Sequence, residues 1–276
     1  MPRIENSLPR QVAGGIAPLL QYPVFACGVA LLGLLCAAWT PVALVLGALL
    51  PTARANAVGR AAITRAFRFY VQALAAIGAC RFDLTALDEL RGAGPLIIAP
   101  NHPSLIDAVL VISRLPVTCV MKAGIRDNFF LGPGSRLAGY IGNRSVRRMI
   151  GESVQALAAG SQLLFFPEGT RTTRYPVNPF NASIGSIARH AGVPVQTVFI
   201  DTDSPYLAKG WPLLKKPPLP ITYRIRLGQR FEIGGGDTRA FVAKLEQYYA
   251  KELERPTLLV TWLPGDGRAA GTDPQG

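Results

Sequence analysis

Short apolar runs separated by polar turns fill the middle of the chain. Residues 96–99 are four consecutive apolar residues with two isoleucines, too few for a helix and typical of a buried strand. Further strands are predicted at 117–121, 162–166, 195–200 and 221–233, and helices at 105–113, 144–159, 181–191 and 238–253. Strands and helices that alternate in this way predict an α/β fold with a mixed central sheet flanked by helices.

The N-terminal part of the chain is a long apolar run. No charged residue lies between positions 11 and 53, and 24–50 is almost continuously apolar. About 20 helical residues are enough to cross a bilayer core. Pro41 divides the run, which leaves two geometries open: a spanning helix near 24–39 with a partial second helix, or a helical hairpin that enters one leaflet. The predicted fold therefore includes an N-terminal membrane-embedded helical segment.

A cleaved signal peptide is the alternative for this run, because Ala53-Arg54-Ala55 is similar to a small-residue cleavage site. The apolar stretch is, however, about twice as long as the usual ~7–15 residues. More arginines follow the run than precede it, which favours a cytoplasmic location for the downstream domain. Those that follow are Arg54, Arg60, Arg65 and Arg68, and those that precede are Arg3 and Arg10. We predict a membrane anchor at 1–53, a main domain at 54–263 and a mobile tail at 264–276.

The composition of the chain limits the classes of binding partner but does not identify one. The net charge of +12, from 29 basic and 17 acidic residues, favours nucleic acid, an anionic membrane surface or a phosphate-bearing substrate. Hydrophobic residues make up 49% of the chain, so we expect some of them to contact lipid. The four cysteines have neither paired metal-ligand spacing nor a dense disulfide pattern, and we interpret them as buried thiols in a reducing compartment. They are Cys27, Cys36, Cys80 and Cys119. No metal site is expected.

One of the two histidines follows directly on the strand predicted at 96–99. The turn reads Asn101-His102-Pro103-Ser104, and Asp107 lies at the start of the next helix. His102 therefore projects from the carboxyl end of a strand, where open α/β sheets bind their ligands. The alternative is structural, with Ser104 as a helix N-cap and Asp107 satisfying the first turn as in a capping box.

A second predicted strand ends in another polar turn, Pro167-Glu168-Gly169-Thr170-Arg171. Two strands then deliver polar side chains to one edge of the sheet, which weakens the purely structural interpretation. The two turns together resemble the two signature blocks of the glycerolipid acyltransferase family, which includes the lysophosphatidic acid acyltransferases. In this order, and about sixty residues apart, the pair is a specific signal.

The resemblance covers about 96–200 and includes Gly192-Val193-Pro194, where the family has a lesser motif. It implies that His102 and Asp107 are catalytic and that the second block binds the phosphate of the acceptor. The substrate-binding residues that it implies are Lys122, Arg144, Glu168, Gly169, Thr170 and Arg171. It also implies an acyltransferase domain within 54–263, with acyl-CoA or acyl carrier protein as co-substrate and no other cofactor.

Acyl transfer from a thioester to an alcohol needs a base for the hydroxyl, but little acid for a thiol leaving group of pKa ~8.5. Neutral His102 could take the hydroxyl proton while Asp107 holds its tautomer. Ser104 is the rival nucleophile, although it lacks a Gly-x-Ser-x-Gly elbow. For the oxyanion, Lys122 or backbone amides at the helix start are candidates. Glu168 repels phosphate and is expected to orient an arginine or to accept from acceptor hydroxyls.

Two departures from the family pattern leave the acceptor open. Phe180-Asn181-Ala182-Ser183 stands where the family often has Phe-Lys-Lys-Gly, so a basic residue near the phosphate is lost. The second proline of Val-Pro-x-x-Pro is also replaced. A lysophospholipid such as lysophosphatidic acid, or a lipid or glycolipid without phosphate, could serve as acceptor. The competing functions are a nucleic-acid-binding protein, for which no docking motif is present, and a non-catalytic membrane-binding module.

Overall fold

The computed structural model describes residues 17–234 and 236–254. The predicted tail at 264–276 and the two arginines that precede the apolar run lie outside these residues. A seven-stranded sheet forms the centre of the molecule, in the order β1-β7-β6-β2-β5-β3-β4. The strands are β1 (Cys80–Asp83), β2 (Ile97–Pro100), β3 (Thr118–Met121), β4 (Ile141–Gly142), β5 (Leu163–Leu164), β6 (Val195–Thr202) and β7 (Ile221–Phe231).

The sheet is mixed, as the sequence predicts. Strands β6, β2, β5, β3 and β4 are parallel neighbours, whereas β7 is antiparallel to β6 and parallel to β1. The carboxyl ends of five adjacent strands therefore meet at one side of the sheet, which we call the carboxyl edge. Neither β1 nor β4 was predicted, because two of the four residues of β1 are charged and β4 has only two residues.

Helices cover both faces of the sheet. They are α1 (Pro18–Leu49), α2 (Thr52–Ala76), α3 (Asp107–Arg114), α4 (Ala123–Arg126), α5 (Gly132–Leu137), α6 (Val146–Ala158), α7 (Ser183–Ala191) and α8 (Thr238–Leu253), with a 3-10 helix at Thr85–Leu90. Ser145 caps α6 by accepting a hydrogen bond from the amide of Arg148, and α7 ends at Gly192 with φ of 62°. The predicted helices are confirmed to within a few residues.

The side chains of β2 alternate between two cores. Ile98 packs with buried residues of α2 and α3, whereas Ile97 and Ala99 pack with those of α6, α7 and α8. All three are fully buried. A strand buried on both faces is held in register from both sides, so the turn that follows β2 starts from a fixed point.

The prediction that Pro41 divides the apolar run is wrong. Helix α1 continues through Pro41 to Leu49, and the reversal of direction comes at Leu50, before α2. The inner face of α1 packs on both sides of the proline, through Trp39 and Ala43 against Leu137. This packing outweighs the missing amide of one exposed proline. Helices α1 and α2 together form a helical hairpin, and its second helix lies almost entirely outside the predicted anchor at 1–53.

Helix α1 has one covered and one uncovered face. It is the one helix in the described part of the chain that is long and apolar enough to cross a membrane, and 11% of its most apolar window is buried. Its inner face, which includes Phe25, Leu35 and Trp39, packs against the main core. The outer face leaves large apolar side chains exposed: Leu19, Leu20, Tyr22, Leu34, Val42, Leu44, Val45 and Leu49.

The hairpin makes a close backbone contact with the domain at Gly59 of α2. A Cβ there would lie 2.7 Å from the amide nitrogen of Ala138 and from the carbonyl carbon of Leu137. These are backbone atoms at the end of α5, so they cannot move aside as a flexible side chain could. A glycine is required because α2 packs directly on that backbone.

We predict that Gly59→Ala lowers the free energy of unfolding by about 1–3 kcal/mol, because the added methyl group overpacks this contact. Gly151→Ala in α6 is the matched control, since a Cβ there meets nothing within 4 Å. That control should be neutral or slightly stabilising. Chemical denaturation of both variants in the same detergent makes the comparison, and equal changes would contradict the assigned contact.

Candidate active site

His102 and Asp107 form a hydrogen-bonded pair at the carboxyl edge. Nδ1 of His102 lies 2.9 Å from Oδ2 of Asp107, and the two side chains are 15% and 0% exposed. A carboxylate oxygen can only accept, so Nδ1 carries the shared proton in the neutral imidazole. Nε2 then keeps its lone pair. The arrangement suits a general base with a partner that stabilises its protonated form.

The backbone of His102 is held from both sides by the loop that follows β5. Its amide donates to Oε1 of Glu168 at 3.0 Å, and its carbonyl accepts from the amide of Thr172 at 2.7 Å. Phe166 stacks on the imidazole with ring centroids 4.0 Å apart and an interplanar angle of 26°. The ring of His102 therefore has few orientations available.

Asp107 serves the helix and the histidine at once. Oδ2 also accepts from the amide of Ser104 at 2.8 Å, which is the carboxylate half of the capping box that the sequence suggested. Burial raises the pKa of Asp107, and the hydrogen bonds from His102 and Ser104 and the charge of Arg171 oppose that rise. The structural and catalytic interpretations of this aspartate are thus compatible.

Ser104 is not placed as a nucleophile. It is 1% exposed, and its hydroxyl donates to the carbonyl of Tyr206 at 2.8 Å. The amide of Leu105 donates to the carbonyl of Leu207 at 3.1 Å. Two of the amides proposed for the oxyanion, those of Ser104 and Leu105, are therefore already engaged within the protein.

The carboxylate of Glu168 is buried and bonded inward. It accepts from the amide of His102, from the hydroxyl of Thr172 at 2.7 Å and from the amide of Asn178 at 2.9 Å. Burial raises its pKa above the usual range, and these hydrogen bonds oppose that rise without cancelling it. None of these donors is an arginine, and the expectation that Glu168 accepts from acceptor hydroxyls stays a prediction. Its contacts make it a support for the turn that carries His102.

Arg171 holds a neighbouring loop. Its Nη1 donates to the carbonyls of Leu207 and Ala208 at 2.8 and 3.0 Å. Leu207 has a left-handed backbone with φ of 60°, and its carbonyl also accepts from the amide of Leu105. The basic loop between β6 and β7 is therefore docked on both signature blocks.

The small residues of the second block lie at the surface of this edge. Gly169 has φ of 65°, a conformation that favours glycine, and a Cβ there would meet nothing within 4 Å. Thr170 is half-buried beside it. The backbone at this position is open to a ligand, in keeping with the predicted role.

Lys122 and Arg144 follow β3 and β4, so they share the carboxyl edge with His102 but lie farther along it. Neighbouring strands are about 4.8 Å apart, which places the ends of β3 and β4 about 10 and 14 Å from the end of β2. Arg144 is 77% exposed and pairs with Asp127, and Lys122 is exposed. In the structure, Lys122 and Arg144 lie at the same edge of the sheet as His102 and Asp107 but not next to them.

Three residues that support the site were not predicted from the sequence to do so. Asn101 bridges β2 and β6, since its side chain accepts from the amide of Ile200 at 2.7 Å and donates to its carbonyl at 3.1 Å. Thr172 and Asn178 bind Glu168. Only Asn101 carried a signal, because it is a buried polar residue between a strand and a histidine, whereas the other two contacts span irregular loops.

Parts of the chain are similar to known acyltransferases. Residues 81–201 match the family model described as Acyltransferase. Lyso-ornithine lipid O-acyltransferase of Pseudomonas aeruginosa is 34% identical over 113 residues, which cover 38% of this chain and 43% of that protein. Human 1-acyl-sn-glycerol-3-phosphate acyltransferase beta is 27% identical over 135 residues, or 46% and 48% of the two chains. The matched region thus spans less than half the length of each relative.

A solved structure shares the fold. The crystal structure of the 1-acyl-sn-glycerophosphate (LPA) acyltransferase PlsC from Thermotoga maritima aligns with a TM-score of 0.65 at 18% identity, covering 86% of this chain and 94% of that one. The matched family region contains His102, Asp107 and the whole second block, while the structural likeness extends over most of the chain. Residues 81–201 therefore match the acyltransferase family model, and most of the chain shares the fold of that solved structure.

Proposed function

We propose that the protein is a membrane-associated O-acyltransferase that moves a fatty acyl group from a thioester to the hydroxyl of a lysophospholipid such as lysophosphatidic acid. The observation that carries this proposal is the buried pairing of Asp107 with His102 at the carboxyl edge of the matched domain. Acyl-CoA or acyl carrier protein supplies the thioester. A non-catalytic membrane-binding module would have no need to hold a histidine by two backbone contacts and two side-chain contacts.

The reaction follows from the state of His102. Nε2 takes the proton of the acceptor hydroxyl as its oxygen attacks the thioester carbonyl, and Asp107 stabilises the imidazolium that forms. The tetrahedral intermediate collapses with cleavage of the carbon–sulfur bond. The thiolate is a good leaving group and takes the proton from the imidazolium, which returns His102 to its neutral form. No covalent acyl-enzyme is required, in agreement with the buried hydroxyl of Ser104.

Basic side chains at the carboxyl edge are placed to bind the anionic groups of the substrates. Lys122 and Arg144 are exposed about 10 and 14 Å from the end of β2, a separation that their long side chains can partly span toward a phosphate. Arg171 is closer to the pair, and its charge acts on Asp107. These three residues are our candidates for binding the phosphate of the acceptor or of the donor.

An amino-acid lipid is the second candidate acceptor. The relative from Pseudomonas aeruginosa is named for lyso-ornithine lipid and has the higher identity of the two relatives. The altered segment at 181–183 also favours it, because Asn181 uses its side chain to accept from the amide of Ser183 at the start of α7. That segment organises a helix end and supplies no cation for a phosphate.

Membrane association is proposed from surfaces on α1 and two adjoining loops. Thr40 of α1 donates to the carbonyl of Phe130, and Lys216 donates to Gln21 near the other end of the helix. At 1.5 Å per residue these contacts are about 28 Å apart, so α1 lies along the domain. Both loops expose apolar side chains beside it, namely Phe129, Phe130, Leu213 and Leu214. Lipid would cover the whole surface.

The charge distribution supports a cytoplasmic location for the domain, which we retain as part of the proposal. Arg60 and Arg68 of α2 donate to the carbonyls of Ala138 and Ser113, so they are used inside the protein. Arg54 and Arg65 are exposed and remain available for anionic head groups.

Purified protein is predicted to transfer an acyl group from a thioester to a lyso-lipid, and His102→Ala should lower the rate by about 10²–10⁴-fold, because a positioned base is worth that much. His190→Ala is the control. This second histidine is exposed on α7, where Nδ1 contacts the carbonyl of Ser186. Its removal should change neither the rate nor the unfolding temperature. Wild-type turnover by His102→Ala would refute the mechanism.

Arg171→Ala tests acceptor recognition. If the guanidinium contacts a phosphate, kcat/KM for lysophosphatidic acid should fall by about ten- to a few-hundredfold, while a lyso-lipid without a phosphate monoester should be less affected. Hydrogen exchange at 205–211 should also rise, because two carbonyls lose their donor. The exposed Arg174 provides the control variant. Equal losses on both acceptors would assign the whole effect to the loop.

Membrane binding is tested on the outer face of α1. The double variant Leu34→Glu/Val45→Glu changes two side chains that are 68% and 57% exposed, so the fold should persist while vesicle partitioning falls by about tenfold or more. Gln155→Glu on exposed α6 is the control for added negative charge. Unchanged flotation of the double variant with vesicles would move the membrane contact away from α1.

A further inference from the structure

The loop between β6 and β7 carries an exposed segment in which charged and apolar side chains alternate with turns. We call residues 209–216 the basic tip. It contains Lys209, Lys215 and Lys216, and no acidic residue occurs between positions 204 and 231. Among the described residues, none of these three lysines forms an ion pair. The basic tip therefore presents positive charge that no carboxylate in the described part of the chain pairs with.

The apex of the basic tip is a hydrogen-bonded turn with an apolar centre. The amide of Lys215 donates to the carbonyl of Pro212 at 3.0 Å, so Leu213 and Leu214 occupy the two central positions. Nε1 of Trp211 donates to the carbonyl of Lys215 at 2.9 Å, and the ammonium of Lys215 lies 4.9 Å from the centre of the indole. The leucines are 57% and 76% exposed. The turn therefore holds two apolar side chains outward, beside a lysine and a tryptophan.

The basic tip lies against the start of α1. Nζ of Lys216 donates to the side-chain oxygen of Gln21 at 2.7 Å and lies 5.1 Å from the centre of the Tyr22 ring. Tyr22 is exposed, and so are the preceding Leu19 and Leu20. Helix α1 itself contains no charged residue. The basic tip therefore extends the exposed apolar face of α1 and adds the positive charge that this helix lacks.

An anionic lipid surface is the partner whose chemistry matches this combination. Lysine and tryptophan place a charged or polar end among lipid head groups while their apolar parts face the acyl chains. A nucleic acid would use the lysines but not the exposed leucines. An acidic protein bound at the basic tip would leave the adjoining apolar face of α1 uncovered. Continuity with that face therefore favours a membrane, and the charge favours an anionic one.

The same loop contacts the candidate site just before the basic tip begins. The carbonyl of Leu207 accepts from the amide of Leu105 and from Nη1 of Arg171, and the carbonyl of Ala208 accepts from the same nitrogen. The basic tip starts at the next residue. Lipid contact at the basic tip would therefore bring the candidate site close to the head groups among which a lyso-lipid acceptor lies.

We propose that the basic tip binds the head groups of anionic phospholipids. Lys209 and Lys215 contact lipid phosphates, Leu213 and Leu214 enter the boundary with the acyl chains, and Lys216 fastens the basic tip to α1. This inference rests on the membrane association in the proposed function, and it adds the class of lipid and the segment that recognises it. None of the three lysines takes part in the proposed reaction.

The test is a competition between two vesicle populations, one of phosphatidylcholine alone and one that also contains phosphatidylglycerol, separated by density after mixing with the full chain. The apolar α1 can enter both, so its contribution cancels in the ratio of bound protein. Wild type should prefer the anionic vesicles. Lys209→Ala/Lys215→Ala should lower that preference by about 20- to 30-fold, since one lysine near an anionic surface is worth about fivefold. High salt should reduce the difference between the two proteins.

Lys244→Ala/Lys251→Ala is the matched control. It removes the same charge from exposed lysines of α8, a helix that packs on the other core of the sheet from α1. The control should keep the wild-type preference. Leu213→Ala/Leu214→Ala should release protein from both vesicle populations alike, because an apolar contact does not distinguish the head groups. All three double variants should keep the wild-type unfolding temperature, since the substituted side chains are exposed.

A wild-type preference in Lys209→Ala/Lys215→Ala would overturn the inference, and so would an equal loss in the α8 control. If that retained preference came with slower transfer from acyl carrier protein but not from acyl-CoA, the basic tip would instead bind the carrier protein. Wild-type binding without any preference would overturn the inference and leave membrane association standing, whereas binding to neither vesicle would overturn both. Absence of acyl transfer by the wild-type protein would refute the proposed reaction without changing the outcome of the vesicle test.

Discussion

The candidate site depends on the hydrogen bonds that the buried carboxylate of Glu168 accepts. A charge of this kind is costly to remove from water unless nearby donors replace its hydration. The donors here come from the turn after β2 and from the irregular loop after β5, so neither segment satisfies Glu168 alone. These hydrogen bonds hold the two segments together. The backbone of His102 is therefore fixed independently of the contacts that its side chain makes.

The orientation of the imidazole then needs only two further contacts. Phe166 limits the tilt of the ring, and Asp107 limits its rotation. Asp107 is in turn held by the amide of Ser104 at the start of α3. A short helix, a strand end and one loop thus form a single unit, and the fully buried β2 connects that unit to both cores of the domain.

Much of this arrangement could be predicted from the sequence because its signals are local. The strand before His102 is a short apolar run, and the aspartate five residues later begins a helix. Other features depend on contacts distant in sequence. Helix α1 continues through Pro41 because Leu137 packs beside it, and Arg171 is held by carbonyls more than thirty residues away, a separation over which sequence patterns carry no information. The prediction that the four cysteines are buried is wrong for Cys27, which is exposed on α1. The reason is the same, because burial also depends on contacts distant in sequence.

The order of the strands separates two kinds of residue. His102 and its supports belong to β2 and β5, in the middle of the sheet, whereas Lys122 and Arg144 follow β3 and β4 at its margin. The central residues are buried and mutually bonded, so substitution there disturbs several contacts together. The marginal cations are solvated and nearly independent of the fold, and exchanging them costs little stability. Under the proposed function, a lineage could therefore change the head group it recognises by mutation at the margin while its chemistry is inherited unaltered. Such a division would let related chains with the same catalytic centre diverge toward different lipids.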